Sequence, residues 1–437
     1  MYSTVNLIRR RLLQGAALAI ASVALPLYAE PLTLTVMTSY PADVTSRMEA
    51  AFEKAHPDYR LQIIWRMPQD ALPYLQQPKQ GGVDVYWSPS PRTFNQLKTE
   101  GAFRKLDIDL NGLPETIGKT RLRDNEKYFT ATEMAGFGFA INTQSLTKLK
   151  VAAPKTWRDL TNPKLSGQIA VPNPARVGFA PVLIDILLQG YGWDAGWALW
   201  SEISGNAELL EQGGGFISDK VGAGQVAIGL SIDFFIASAI ANGAPISFVY
   251  PDRGGINPAH IAITAGTDKL DAAKVFTDFV LSAQGQSLLT HADIRKLPVR
   301  PSIYEKLSVD YYRPFAAAER GELDYDNDRG RNRLGIVTAL FDHHLAYRHQ
   351  EHCELWQKLH TLEAAGKPQV ELRKLLTSVP LSETEAANPE LQKQFRDRLE
   401  GAKPELREAE RRWREATDKR IAAAQQLLTA QFKLSEL

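Results

Sequence analysis

The sequence predicts a two-lobed α/β protein with two crossings between the lobes and a helical extension at its C-terminus. Three observations carry that expectation. First, short β-rich runs ending in hydroxyl, Asn or Asp residues lead four times into helical patterns. Leu32–Met37 runs into Thr38-Ser39-Tyr40-Pro41, and Val83–Trp87 into Ser88-Pro89-Ser90-Pro91. Gln168–Val171 runs into Pro172-Asn173-Pro174, and Val226–Leu230 into Ser231-Ile232-Asp233. Second, a long, glycine-punctuated β-rich segment, Tyr128–Asn142, separates the early pair of corners from the later pair. Third, beyond about Asp328 glycine and β-branched residues thin out while Leu, Ala, Glu, Arg and Gln accumulate.

Length and composition fit this picture. A chain of 437 residues exceeds one ordinary core, so two or three domains are expected. With 44% hydrophobic and 23% charged residues it reads as soluble and globular. A formal net charge of +1 gives no global field, and nothing argues for nucleic acid. The lone cysteine, Cys353, excludes an internal disulfide and a cysteine-built zinc site. Residues 1–29 read as a signal peptide: Arg9-Arg10-Arg11, an apolar stretch from Leu12 to Leu27, and a small residue, Ala29, at the expected cut. Gln14 and Pro26 interrupt that stretch, which disfavours a membrane anchor. The basic run also resembles a twin-arginine signal, but Ile8 stands where Ser or Thr is usual, so the Sec route is favoured. The mature chain is expected not to be membrane-inserted.

The elements follow in order. In the first lobe (30–132) strands are expected at Leu32–Met37, Arg60–Trp65 and Val83–Trp87, alternating with helices at Asp43–Ala55, Pro68–Leu75 and Arg92–Thr99. Such alternation implies a mostly parallel sheet. The second lobe (133–249) carries helices at Trp157–Leu160, Phe179–Leu188, Trp193–Ile203 and Ser218–Gly222, with Ser247–Tyr250 as the return strand. The chain then returns to the first lobe (250–327), where Asp271–Leu281 is an amphipathic helix. In the extension (328–437) Leu406, Trp413, Thr417, Ala424 and Leu428 share one helical stripe, and Pro380 and Pro404 mark breaks.

The corners are where a ligand is expected, because strand carboxyl ends and helix N-termini converge there. Thr38, Ser39, Tyr40, Ser88 and Ser90 are candidate contacts, or else plain helix caps. Trp87 is a cleft wall or a core ring. Arg176, in the loop ending at Gly178, suits bidentate contact with a phosphate or carboxylate, or is a solvated loop arginine. Arg253, beside Gly254-Gly255, is a cleft residue or an interlobe ion pair. Asp233 is a cap, or a partner for a ligand hydroxyl or ammonium. Phe234 is a stacking face or a core aromatic. Five of the eight histidines crowd into His343–His360, which allows a metal-dependent hydrolase as a rival function or, more simply, an exposed helical face that charges below about pH 6.5.

Several motifs then follow one another in order: LTVMTSY, GVDVYWSPSP, WRDLTNPKLSGQIAVPNP, GQVAIGLSIDFF, FVYPDRGGINPAHIAIT and AAKVFTDFVLSAQGQSLL. Together, from about Leu32 to Pro301, they resemble the bacterial extracellular solute-binding proteins. The subgroup is the one that binds iron(III), thiamine, polyamines, phosphonates and sugar or glycerate phosphates. The resemblance implies the periplasmic-binding-protein fold, a periplasmic location, a small-molecule ligand and no cofactor. It also implies a membrane partner, either the permease of an ABC importer or a sensor kinase. Iron carriers of this subgroup hold the metal with a tyrosine pair where this chain has Phe234-Phe235, and phenyl rings offer no oxygen to a hard cation. The remaining likeness is to organophosphate and phosphonate binders, among them the phosphoglycerate transport regulators. Crossings are expected near Ala131–Gly136 and Phe248–Gly254, between separate sheets, with Asp271–Leu281 packed back on the first lobe.

Overall fold

The computed structural model describes residues 30–396 and 406–435, so the expected signal segment and Pro404 lie outside the described residues. In the first lobe the strand Leu32–Thr38 lies between Tyr59–Trp65 and Val85–Ser88, parallel to both. In the second lobe Ile169–Pro172 runs parallel to Ala207–Leu210 and to Ile228–Ile232. The long strand Thr130–Ile141 belongs to both. Through Gly136 it pairs with Ile256–Ile263 of the first lobe, and from Phe137 onward with Ile228–Ile232 of the second.

One expectation is corrected here. The sheets are not separate, because this shared strand links ten strands into one hydrogen-bonded network. The alternating strands of the first lobe are parallel as expected, but the strands that carry the crossings run antiparallel. The chain leaves the first lobe along Thr130–Ile141 and re-enters it along Ile256–Ile263, so the two strands pass in opposite directions. Ile256–Ile263 was hidden in the sequence by Asn257 and Pro258. A proline is tolerated there because the pairing is irregular at Ala259/His260. Ser247–Val249 stays in the second lobe, paired with Phe139–Ile141, and residues 250–255 make the return crossing.

Core packing follows the periodicity. The helix Ala42–Ala55 buries Val44, Met48 and Phe52. Phe52 meets Phe276 and Phe279 edge-on at 5.1 and 5.5 Å, which fixes Leu270–Leu281 on the first lobe. Each such side chain contributes about 1.5–3 kcal/mol on burial.

The C-terminal helices are less separable than the word extension suggests. Asn327–Phe341 buries Ile336, Leu340 and Phe341 in the same core as Trp197 and Trp200 of the second lobe. Farther along, Trp356 and Leu359 of His349–Ala364, Leu372 and Leu376 of Val370–Thr377, and Ile421 and Ala424 of Glu408–Ser435 close a smaller core. Trp413, Thr417, Ala424 and Leu428 are buried as their stripe predicts, whereas Leu406 is half-buried. The histidines do not form an exposed face: His343, His344, His352 and His360 are buried. The reason is that the helix bearing three of the five docks on Trp193–Gly205. His349 and His352 there donate to the carbonyls of Ser204 and Ser201 at 2.9 and 2.8 Å. Burial depresses the pKa of His344 and His352, so they stay neutral well below the pH at which a solvated imidazole charges.

Candidate functional site

The first-lobe corners come together. Ser39 Oγ lies 2.9 Å from Ser88 Oγ, each at the end of a parallel strand. Pro41 and Ser90 stand at the N-caps of Ala42–Ala55 and Pro91–Thr99, and neither helix takes a side-chain cap bond from them. Ser39 and Ser90 are half-buried, whereas Ser88 is buried. Thr38 is a structural residue, its Oγ1 accepting from the Tyr40 amide at 3.1 Å to tighten the turn.

Behind these hydroxyls lies a buried polar chain. Trp87 Nε1 donates to Thr132 Oγ1 at 3.0 Å. Thr132 and Tyr40 in turn donate to the two carboxylate oxygens of Glu133. Tyr40 and Trp87 are packed together, ring centroids 4.7 Å apart, and both are buried. Lys296 reaches this chain from the other side: its Nζ is 3.8 Å from Glu133, 4.2 Å from the centre of the Phe234 ring and 4.9 Å from that of Tyr40. Burial lowers the Lys296 pKa, an effect opposed by Glu133 and Asp233.

Asp233 heads the second-lobe helix Asp233–Ala241 and caps more than that helix. Its carboxylate accepts from the amides of Phe234 and Gly136, both at 2.7 Å, and from Tyr250 Oη at 2.9 Å. Gly136 is the residue at which the shared strand changes lobes. A Cβ there would sit 2.5 Å from the Tyr250 ring, so only glycine allows this approach. Tyr250 stacks face to face on Tyr312 at 3.5 Å. Burial pushes the Asp233 carboxyl up to about 6, with its hydrogen-bond donors and Lys296 pulling the other way. A raised carboxyl takes up a proton in the folded state first. Its contribution to stability is therefore full below the ordinary value of 3.8 and lost as pH rises through about 6. Asp233→Asn is expected to flatten that part of the pH dependence, read as urea midpoints across this range.

Arg176 and Gly178 lie on a second-lobe loop that follows the strand Ile169–Pro172. Arg176 is paired with Glu211 at 2.9 Å, both side chains more than half exposed. Asn173 anchors the same glutamate at 3.2 Å. Gly178 is exposed on that loop, where Val177 and Phe179 adjoin Gly213, and Phe179 neighbours Phe235. Phe234 is half-buried under Lys296. Arg253 lies over the Tyr191 ring at 5.3 Å, with Arg158 over the same ring at 5.1 Å. Its guanidinium is engaged on the second lobe, with its aliphatic stem beside Gly190.

Sequence reasoning missed Glu133, Tyr250 and Lys296. Glu133 did leave a signal, a lone carboxylate inside the apolar run TATEMAGFGFAI, since charges inside such strands are buried only with partners. Lys296, in the loop before Leu297–Pro298, left none.

With this geometry in place, the class of protein follows. Residues 83–318 match the model of the bacterial extracellular solute-binding proteins, and the chain belongs to that family. The chain is similar to the phosphoglycerate transport regulatory protein PgtC of Salmonella typhimurium, 29% identical over 303 residues, or 68% of this chain and 73% of that one. Among solved structures it is similar to the periplasmic binding protein AfuA of Actinobacillus pleuropneumoniae with fructose-6-phosphate bound. The TM-score is 0.53 at 21% identity, covering 70% of this chain and 99% of AfuA. Iron-bound HitA of Pseudomonas aeruginosa gives a TM-score of 0.55 at 15% identity, covering 70% and 99%. These structural likenesses establish the two-lobed fold.

Proposed function

We propose that this chain captures a small organic phosphate or phosphonate between its lobes in the periplasm and presents it to a membrane partner. The observation that carries the reading is the Ser39–Ser88 pair, 2.9 Å apart at two strand ends from which helices depart. Hydroxyls and the amides of helix N-termini bind an anion without needing a compensating cation. PgtC is named for phosphoglycerate transport, and AfuA was solved with a sugar phosphate, which supports the same ligand class. Function here is binding: closure of the lobes over the anion excludes water, and the closed form is what a permease or sensor recognises. The helical C-terminal region, docked on the second lobe, offers a sensor kinase a surface that closure alone does not require.

The test is a thermal-shift screen of 3-phosphoglycerate, fructose 6-phosphate, phosphonates, thiamine and spermidine, since a ligand of the folded state raises its apparent stability. Stabilisation by a phosphate or phosphonate alone is expected. Stabilisation by thiamine or spermidine alone overturns the ligand class.

Iron gives a second prediction. Phe234 and Phe235 lie side by side, 4.2 Å between ring centroids, where a tyrosine pair would be needed. Ferric citrate is expected to produce no visible charge-transfer band, and a coloured one-to-one complex would count against the assignment. The hydrolase alternative draws no support from the histidines. His343 meets Glu410 and Arg414, His344 meets Arg420, and His360 meets Glu202. Among the described residues no group of three His, Cys, Asp or Glu is gathered for a metal.

A further inference from the structure

The buried ammonium of Lys296 has the surroundings that a binding site would give to an amine ligand. Glu133 supplies a carboxylate from the shared strand, and Asp233 a second one from the second-lobe helix whose charge also bears on the ammonium. Tyr40 and Phe234 turn their rings toward it from opposite lobes, at 4.9 and 4.2 Å. Carboxylates together with aromatic faces are the chemistry by which proteins hold alkylammonium groups. Here a residue of the chain itself fills the box. Its main chain is pinned so that the side chain stays there: the Lys296 amide donates to the Leu289 carbonyl at 2.9 Å, and its carbonyl accepts from Tyr311 Oη at 2.5 Å. Arg295, the neighbouring cation, lies instead over the Tyr311 ring at 5.6 Å.

We propose that Lys296 is a specificity-determining residue: its ammonium occupies a cation box at the interlobe junction, so the cleft refuses amine ligands and accepts oxyanions. This deepens the proposed binding function and rests on it for the location of the cleft. The box is self-satisfied when the cleft is empty, because neither the carboxylates nor the ammonium is left buried without an opposite charge. A ligand ammonium would have to displace Lys296 and would meet its charge at short range. A phosphate or phosphonate at the nearby Ser39–Ser88 corner meets no such opposition.

The test removes the built-in amine and offers it back. Wild type, Lys296→Ala and Lys296→Met mature chains are compared by thermal shift with propylammonium or putrescine against potassium chloride at matched ionic strength. Wild type is expected not to respond. Lys296→Ala is expected to melt several degrees lower and to regain most of that loss with either amine. Lys296→Met, which keeps the volume filled, is expected to melt lower without recovery. An equal response of wild type and Lys296→Ala, or no response of Lys296→Ala, overturns the proposal. If Lys296→Ala does not fold alone, refolding yield with and without propylammonium is read instead, and absence of rescue has the same meaning. Wild type is assayed in parallel with 3-phosphoglycerate and fructose 6-phosphate. Failure there sinks the organophosphate reading while the amine-rescue result stands or falls separately.

Discussion

Arg333→Ala is expected to destabilise the second lobe by about 3–5 kcal/mol, because it strands a buried carboxylate. Arg333 Nε bonds Asp185 Oδ1 at 2.7 Å, with side-chain exposures of 5% and 0%. Asp185 lies on the second-lobe helix Ala180–Tyr191 and Arg333 on the C-terminal helix Asn327–Phe341, so this pair ties the two regions. Burial pushes the Asp185 carboxyl up, with the guanidinium beside it pulling the other way. The same balance predicts the companion result. Asp185→Leu combined with Arg333→Met removes both charges and is expected to be far less damaging than either single loss. Trp193, with the Arg333 guanidinium 5.4 Å from its ring, provides the fluorescence signal for denaturant midpoints. A single Arg333→Ala chain as stable as wild type would mean that the Arg333–Asp185 pair contributes nothing to holding the C-terminal helix on the second lobe.

Arg176→Ala is expected to weaken binding of the best organic phosphate by about 2–5 kcal/mol, some thirtyfold or more, the cost of losing a charged partner for a desolvated anion. Arg176 is held by Glu211 at 2.9 Å, a half-exposed pair that is itself worth little. A ligand anion would take the place of that carboxylate. Glu211→Gln should therefore leave affinity unchanged or raise it, whereas Ser90→Ala, which removes at most one hydroxyl contact, should cost about 1 kcal/mol. Calorimetric titration of the three variants separates these outcomes. Unchanged affinity in Arg176→Ala would place the anion on the serine side alone.

The corners at Ser39, Ser88 and Asp233 were legible because strand-to-helix grammar is local: an apolar run, a hydroxyl or carboxylate, a proline or cap, then a 3.6-residue period. The long strand through Thr130–Ile141 was legible for the same reason, its composition being continuous across the lobe change. The histidines were misread because their spacing reports only that they share a helix. Which face of that helix is covered depends on Trp193–Gly205, far away in the sequence.

What the sequence by itself determined is the family, the order of elements, and the positions at which strands hand over to helices. Strand direction, and the use of one strand by both lobes, were decided only in three dimensions, since pairing is a property of two segments and not of either. So was the meeting of Glu133, Asp233 and Lys296. Glu133 and Asp233 could each be singled out in the sequence, but only the return of the chain through the interlobe junction brings Lys296 to them, where water cannot screen the charges.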